Sequence, residues 1–170
     1  MKTNALSLAN YLIGVSKKHN VDLRQFGLMK RVYITHGFCL AIYNMSALDE
    51  RFDVVEAWDN GPVIPSVYHT FKYNRDNPIK DEAVIADYKG ESDISYIVPE
   101  LEDERIKKVA DAVWKRYEGV PDFKLIRLTH AKGTPWSLCY EKGVNRIIPD
   151  SYTKTYYSKL VEYEMDRQEY

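Results

Sequence analysis

Apolar residues recur at helical spacing along most of the chain, and the first quarter shows this most clearly. Around Leu8 and Leu12 they form a single stripe, which predicts a helix over residues 4–18. The next segment begins after Asp22, a predicted cap, and is apolar on nearly every side as far as Tyr43. Because a helix that is apolar all round is usually buried, we expect this second helix to lie at the centre of the fold.

The second half of the chain predicts one strong helix and three weaker ones. Between Glu102 and Tyr117 the apolar residues recur three and four apart, with acids in the first turn and bases in the last, which suits the helix dipole. Two short helices are predicted next, one capped by Asp122 and one ending at Gly143. A C-terminal helix is predicted over about 150–168. Its apolar face would be formed by Tyr156, Leu160 and Tyr163.

Two stretches favour short extended structure instead. One covers residues 52–58, where Phe52 and Val54 share a face, and the other covers 83–98. Between 60 and 62 the sequence Asn-Gly-Pro predicts a turn, after which Pro62 would begin a third helix that continues to Lys72. The fold expected for residues 1–170 is therefore mostly α, a compact multi-helix single domain with a small β element.

The charge distribution is uneven. The whole chain has a net charge of -1, so nothing in its composition favours nucleic-acid binding. Residues 81–104, however, carry nine acids against one base, Lys89, within a predicted variable insertion at about 74–104. Two interpretations are open for this insertion, a solvated loop or a docking surface for a basic partner. The doublets Lys17–Lys18 and Lys30–Arg31 are interpreted as charges on helix surfaces.

The sequence predicts neither a secretory signal nor a membrane span, so we expect a cytoplasmic protein without a membrane partner. No Gly-rich phosphate loop is present, and the four histidines lack metal-ligand spacing, so no cofactor or metal is predicted. His36 is expected to be a core histidine. A nucleophilic set of His130, Cys139 and an Asp has no family spacing behind it. Glu56 and Asp59 are interpreted as turn caps, with a structural salt bridge and polar contacts for a partner as the alternatives.

One segment resembles a known family. Glu56 to Tyr68 contains Glu-Ala-Trp, then Gly-Pro-Val, Pro and Tyr in the order of the central signature of the Panacea domain, the SocA-like antitoxin family that includes phage-associated GepA-like proteins. The Leu-Met-Lys-Arg-Val-Tyr helix beginning at Leu28 and the later Thr-His and Pro-Trp elements are similar to other parts of that family. The resemblance spans roughly 4–143.

This resemblance implies a protein that neutralises a protein toxin by direct contact, and one family member looks like an adaptor for a ClpXP-type protease. Two alternatives stay open: a phage counter-defence protein that acts on a host target, and an enzyme with a cleft near His130 and Trp136. No catalytic residue is assigned. The predicted binding residues are Trp58, Asn60, Gly61, Pro62, Val63, Tyr68, His130 and Trp136. For Trp58, packing into the core and contact with a partner are both open interpretations.

Overall fold

The computed structural model describes residues 4–90 and 93–166. Within these ranges the helices are α1 (Ala5–Lys18), α2 (Gln25–Tyr43), α3 (Pro65–Phe71), α4 (Glu104–Tyr117), α5 (Asp122–His130), α6 (Pro135–Cys139) and α7 (Asp150–Asp166). The strands are β1 (Glu56–Trp58), β2 (Gly61–Val63), β3 (Ile85–Gly90), β4 (Asp93–Ile97) and β5 (Arg146–Ile147). The predicted mostly α fold with small β elements is confirmed.

The long helix α2 lies at the centre of the core, as predicted. It packs against α1, α3, α4, α5 and α7. At Gly37 the backbone of α2 touches α7, since a Cβ there would lie 2.4 Å from the Tyr157 ring. His36 is fully buried and its Nε2 contacts Asp150 Oδ1 at 3.0 Å, so the expected core histidine also ties α2 to α7.

The interpretation of Lys30 and Arg31 as surface charges is wrong. Both side chains are buried, because α2 is enclosed on all sides and has no solvent face in this stretch. The guanidinium of Arg31 donates to the carbonyl oxygens of Gly27 and Tyr117, at 3.1 and 2.8 Å. It also lies over the Trp114 ring, 5.2 Å from the centroid. The first of these two cations, Lys30, belongs to the site described below.

Two of the predicted caps are misplaced. Asn4 caps α1 through a capping box with Ser7. Asp22, in contrast, lies outside α2, whose cap position is taken by Arg24 without a side-chain hydrogen bond. Asp122 lies in the first turn of α5, after the cap residue Pro121. These acids still suit the positive end of a helix, but a cap needs the side chain one residue before the helix begins.

The predicted third helix begins later than expected. Pro62 lies in β2, which pairs antiparallel with β1 so that Trp58 faces Gly61, and α3 starts only at Pro65. Strand β1 also pairs with β5, which makes β2 an edge strand, a position that tolerates proline. The small β element falls within 52–58 as predicted, although Phe52 itself lies outside the strand and is 77% exposed.

The C-terminal part differs from the prediction in two details. Helix α6 ends at Cys139 rather than Gly143, because the chain turns at an isolated bridge before β5. Helix α7 turns Thr153 and Tyr157 inward, whereas Tyr163 is 58% exposed. The ring of Tyr157 fits against α2 because Gly37 has no side chain there. None of the described helices is long and apolar enough to cross a membrane.

Candidate functional site

The turn between β1 and β2, residues Trp58–Pro62, is held by hydrogen bonds to its own backbone carbonyls; we call it the signature turn. The indole of Trp136 in α6 donates from Nε1 to the carbonyl oxygen of Trp58 at 2.8 Å. His130, at the end of α5, places Nε2 3.0 Å from the carbonyl oxygen of Asp59. Side chains far away in the sequence therefore bind one side of this turn.

Lys30 binds the same turn from within the core. Its Nζ donates to the carbonyl oxygens of Asn60 and Pro62, each at 2.9 Å. The side chain is fully buried, and this burial lowers the pKa of Lys30 to about 7. Since a neutral amine still carries two N–H groups, both carbonyls keep their donor in either protonation state.

Gly61 lies between these donors, and two separate constraints require a glycine there. Its φ is +100°, a backbone conformation that side-chain-bearing residues rarely adopt. A Cβ at this position would also lie 2.8 Å from Lys30 Nζ and 3.0 Å from His130 Cε1. The Gly-Pro pair of the signature is thus explained by the side chains that close around it.

His130 is not placed to act as a catalytic base. Its Nδ1 lies 2.9 Å from the carbonyl oxygen of Ile126, and its Nε2 contacts Asp59, so both ring nitrogens face backbone oxygens. Burial raises the pKa of the Cys139 thiol, which disfavours the nucleophilic thiolate. In the described ranges no group of three or more His, Cys, Asp or Glu residues could hold a metal ion. The hypothesis of a cleft enzyme gains no support from this geometry.

The outer side of the signature turn carries aromatic rings. Trp58 is half-buried and meets the edge of Tyr68 with ring centroids 4.9 Å apart, while His69 lies 5.2 Å from Tyr68. The indole of Trp58 donates to Glu56 Oε2 at 2.7 Å. Trp58 therefore satisfies both open interpretations in part, because one side of its ring packs on the domain and the other reaches the surface.

A second pair of rings lies beside α6. Tyr140 stacks on Trp136 with centroids 4.5 Å apart, and its hydroxyl donates to Asp59 Oδ1 at 2.9 Å. The interpretation of Glu56 and Asp59 as turn caps is therefore wrong. Each carboxylate accepts from an aromatic side chain instead of from a backbone N–H of the turn, and so positions a ring.

Most of the predicted binding residues lie together at the signature turn or against it, but in different roles. Gly61, Pro62 and Val63 are buried within the domain, so they shape the turn. His130 and Trp136 contact backbone carbonyl oxygens of the signature turn. Exposed or half-buried surface is left on Asn60, Trp58 and Tyr68. Sequence reasoning missed Lys30, whose signal was a lysine within a helix that has no polar face.

Comparison with known proteins identifies the family of this chain. The family model described as "Antitoxin SocA-like, Panacea domain" matches residues 28–137 of the chain. This span holds Lys30, Gly61, His130 and Trp136, and so every side chain described above that binds the turn carbonyls. The chain belongs to the SocA-like Panacea family. The resemblance inferred from the signature segment is confirmed. In this Panacea domain the signature forms a turn whose carbonyl oxygens are bound by Lys30, His130 and Trp136.

A curated relative carries the antitoxin description. The chain is 27% identical over 135 residues to "Antitoxin SocA" of Caulobacter vibrioides (strain NA1000 / CB15N), which covers 79% of this chain and 69% of that protein. No solved structure matches the Panacea chain. An antitoxin-like role follows from this family membership.

Proposed function

We propose that this Panacea protein binds a protein toxin directly and neutralises it. The observation that carries the proposal is the match to an antitoxin along 79% of the chain. The geometry supports it, because the signature residues stabilise a rigid turn, and Lys30, whose pKa is lowered, is fully buried with its Nζ bound to two carbonyl oxygens of that turn. A rigid scaffold lowers the ordering cost of binding, so it favours a module that works by contact.

The roles at the signature turn divide by burial. Lys30, His130 and Trp136 keep the turn in place, while Asn60 and the outer edge of Trp58 are available to touch a partner. Tryptophan is among the residue types that most often dominate binding energy at interfaces. We place partner contact on the exposed edge of the turn and structural support on its buried side.

The experiment is co-expression with the product of the adjacent gene whose expression alone arrests growth. Direct neutralisation predicts restored growth and a complex that co-elutes in size-exclusion chromatography. Restored growth with loss of the toxin, abolished in a strain without ClpXP, identifies the protease-adaptor mode instead. Capture of a host protein with no rescue supports the counter-defence alternative. If neither a complex nor growth rescue is observed, the proposal is refuted.

A control separates binding from folding. Lys132→Ala changes an exposed residue on the loop after α5, outside the signature turn, and is expected to rescue growth like the natural protein. Trp58→Ala removes the half-buried ring, and we expect about tenfold weaker binding with a retained helical circular-dichroism spectrum. Equal binding by both variants would remove the turn edge from the interface.

A further inference from the structure

The hairpin of β3 and β4 presents an apolar face to solvent. The strands pair antiparallel, with Ala86 opposite Tyr96 and Tyr88 opposite Ile94, so these four side chains share one face. We call this the hairpin face; Val84 and Val98 continue it at the base. Its larger members have the following exposed fractions: Val84 52%, Tyr88 72%, Ile94 50%, Tyr96 74% and Val98 44%.

Unlike an ordinary surface sheet, this ribbon does not confine its apolar residues to the less exposed face. Antiparallel sheets usually turn polar residues to water and apolar residues to the core. Here the opposite face, which is less exposed, carries Ile85 and Ile97 near the base and Asp87 and Ser95 further out. An isolated two-stranded ribbon is marginal by itself, and a contiguous exposed apolar patch marks an interaction surface. The pattern therefore indicates a face that another molecule covers.

A buried asparagine holds the base of the hairpin. Asn10 of α1 is 4% exposed, and its Nδ2 donates to the carbonyl oxygens of Ala83 and Pro99 at 3.0 and 3.1 Å. Its Oδ1 accepts from the backbone N–H of Ala83 at 2.7 Å. One side chain thus joins both ends of the segment to the core. The base of the hairpin is therefore fixed to α1 by these hydrogen bonds.

Charge identifies the kind of partner. Residues 81–104 carry nine acids and one base, a net charge of -8. Three of these acids and the base lie within 83–99, and Asp103 and Glu104 form ion pairs with Arg105 and Lys107 of α4. An acidic segment of this density attracts a basic surface and repels an acidic one. The apolar side chains then provide contact area once the surfaces meet.

We propose that the hairpin face docks the toxin, and that the toxin presents an apolar strip framed by Lys and Arg. This inference rests on the proposed function and adds the contact surface and the chemistry of the partner. It gives the acidic insertion the docking role that the sequence left open beside a solvated loop. The hairpin face adds this contact to the one proposed for the exposed edge of the signature turn.

The test compares matched tyrosines. Tyr88→Thr/Tyr96→Thr removes both rings from the hairpin face but keeps a residue with high strand propensity. Tyr73→Thr is the control, because Tyr73 is 81% exposed and lies outside the hairpin. The growth-arresting product of the adjacent gene is the probe. Its dissociation constant is measured by biolayer interferometry at 50 and 500 mM NaCl, and thermal melts confirm that each variant is folded.

We expect the double variant to bind at least about tenfold more weakly, the control to bind like the natural protein, and high salt to weaken binding. Unchanged binding by the folded double variant overturns the hairpin assignment and leaves the proposed function standing. Binding that is indifferent to salt overturns the basic-partner assignment. A dimer of the natural protein that is lost in the double variant shows instead that a second copy covers the face. Failure of the natural protein to bind the probe overturns both proposals.

Discussion

Replacing Gly61 with alanine tests whether distant side chains really close around the signature turn. The new methyl group would lie 2.8 Å from Lys30 Nζ and 3.0 Å from His130 Cε1. The lysine end is flexible, but it is fully buried and donates to carbonyls on both sides of Gly61. Moving Nζ away from the methyl group therefore lengthens or breaks these hydrogen bonds.

The expected cost has two parts. A non-glycine residue at a φ of +100° adds about 1–3 kcal/mol of backbone strain. Overpacking against the buried lysine and histidine adds about 1–3 kcal/mol. Together they lower the free energy of unfolding by roughly 2–6 kcal/mol. For a domain of this size each kcal/mol corresponds to about 2–4 °C, so we expect the Tm to fall by roughly 5–20 °C.

The assay is urea denaturation followed by circular dichroism, with Gly133→Ala as the matched control. Gly133 has a φ of +88°, close to that of Gly61, but a Cβ there would meet no heavy atom within 4 Å. The control therefore measures backbone strain alone, and the difference between the two variants measures the closed turn. Losses that agree within about 0.5 kcal/mol would refute the packing of Lys30 and His130 around the turn.

Three further changes test other parts of the structure. Because burial lowers the pKa of Lys30 to about 7, the unfolded chain binds more protons than the folded chain between about pH 7 and 10.5. The free energy of unfolding should therefore rise from pH 7 to 9, by up to about 1.4 kcal/mol per pH unit. Urea titrations should show a smaller slope for Lys30→Met. Asn10→Ala leaves backbone groups at both ends of the hairpin unpaired, so we expect the free energy of unfolding to fall by about 2–4 kcal/mol. Hydrogen exchange across 83–99 should become faster, and unchanged exchange would contradict the anchoring role of Asn10. Gly37→Ala places a methyl group 2.4 Å from the Tyr157 ring, so differential scanning calorimetry should show a loss of about 1–3 kcal/mol, and a neutral result would place α7 further from α2.

Local patterns in the sequence predicted most of the helices. The stripe around Leu8 and the acid-to-base order between Glu102 and Tyr117 depend only on neighbours three and four residues apart, and α1 and α4 formed close to the expected bounds. The family could also be recognised from sequence, because the signature segment is contiguous. Errors at Asp22 and Asp122 came from helix ends, where a shift of one residue changes which side chain caps.

Only the tertiary structure decided which charged and polar groups are inside. In sequence Lys30 is one member of a basic doublet, and its role depends on Asn60 and Pro62, thirty or more positions away. His130 and Trp136 meet the same turn from still further along the chain. A desolvated amine is stable there because the folded backbone presents carbonyl oxygens to it, and no local periodicity records that arrangement.

The hairpin shows the same division. Its acidic composition was visible in the sequence, and so was its tendency to form short extended structure over 83–98. Which face of the ribbon meets water was decided by the base, where Asn10 fixes Ala83 and Pro99 against α1. Because side chains alternate along a strand, that anchor sets the direction of the residues as far as the register shift after Tyr88. Composition determined the charge that this protein presents, and tertiary contacts determined that apolar rings are presented with it.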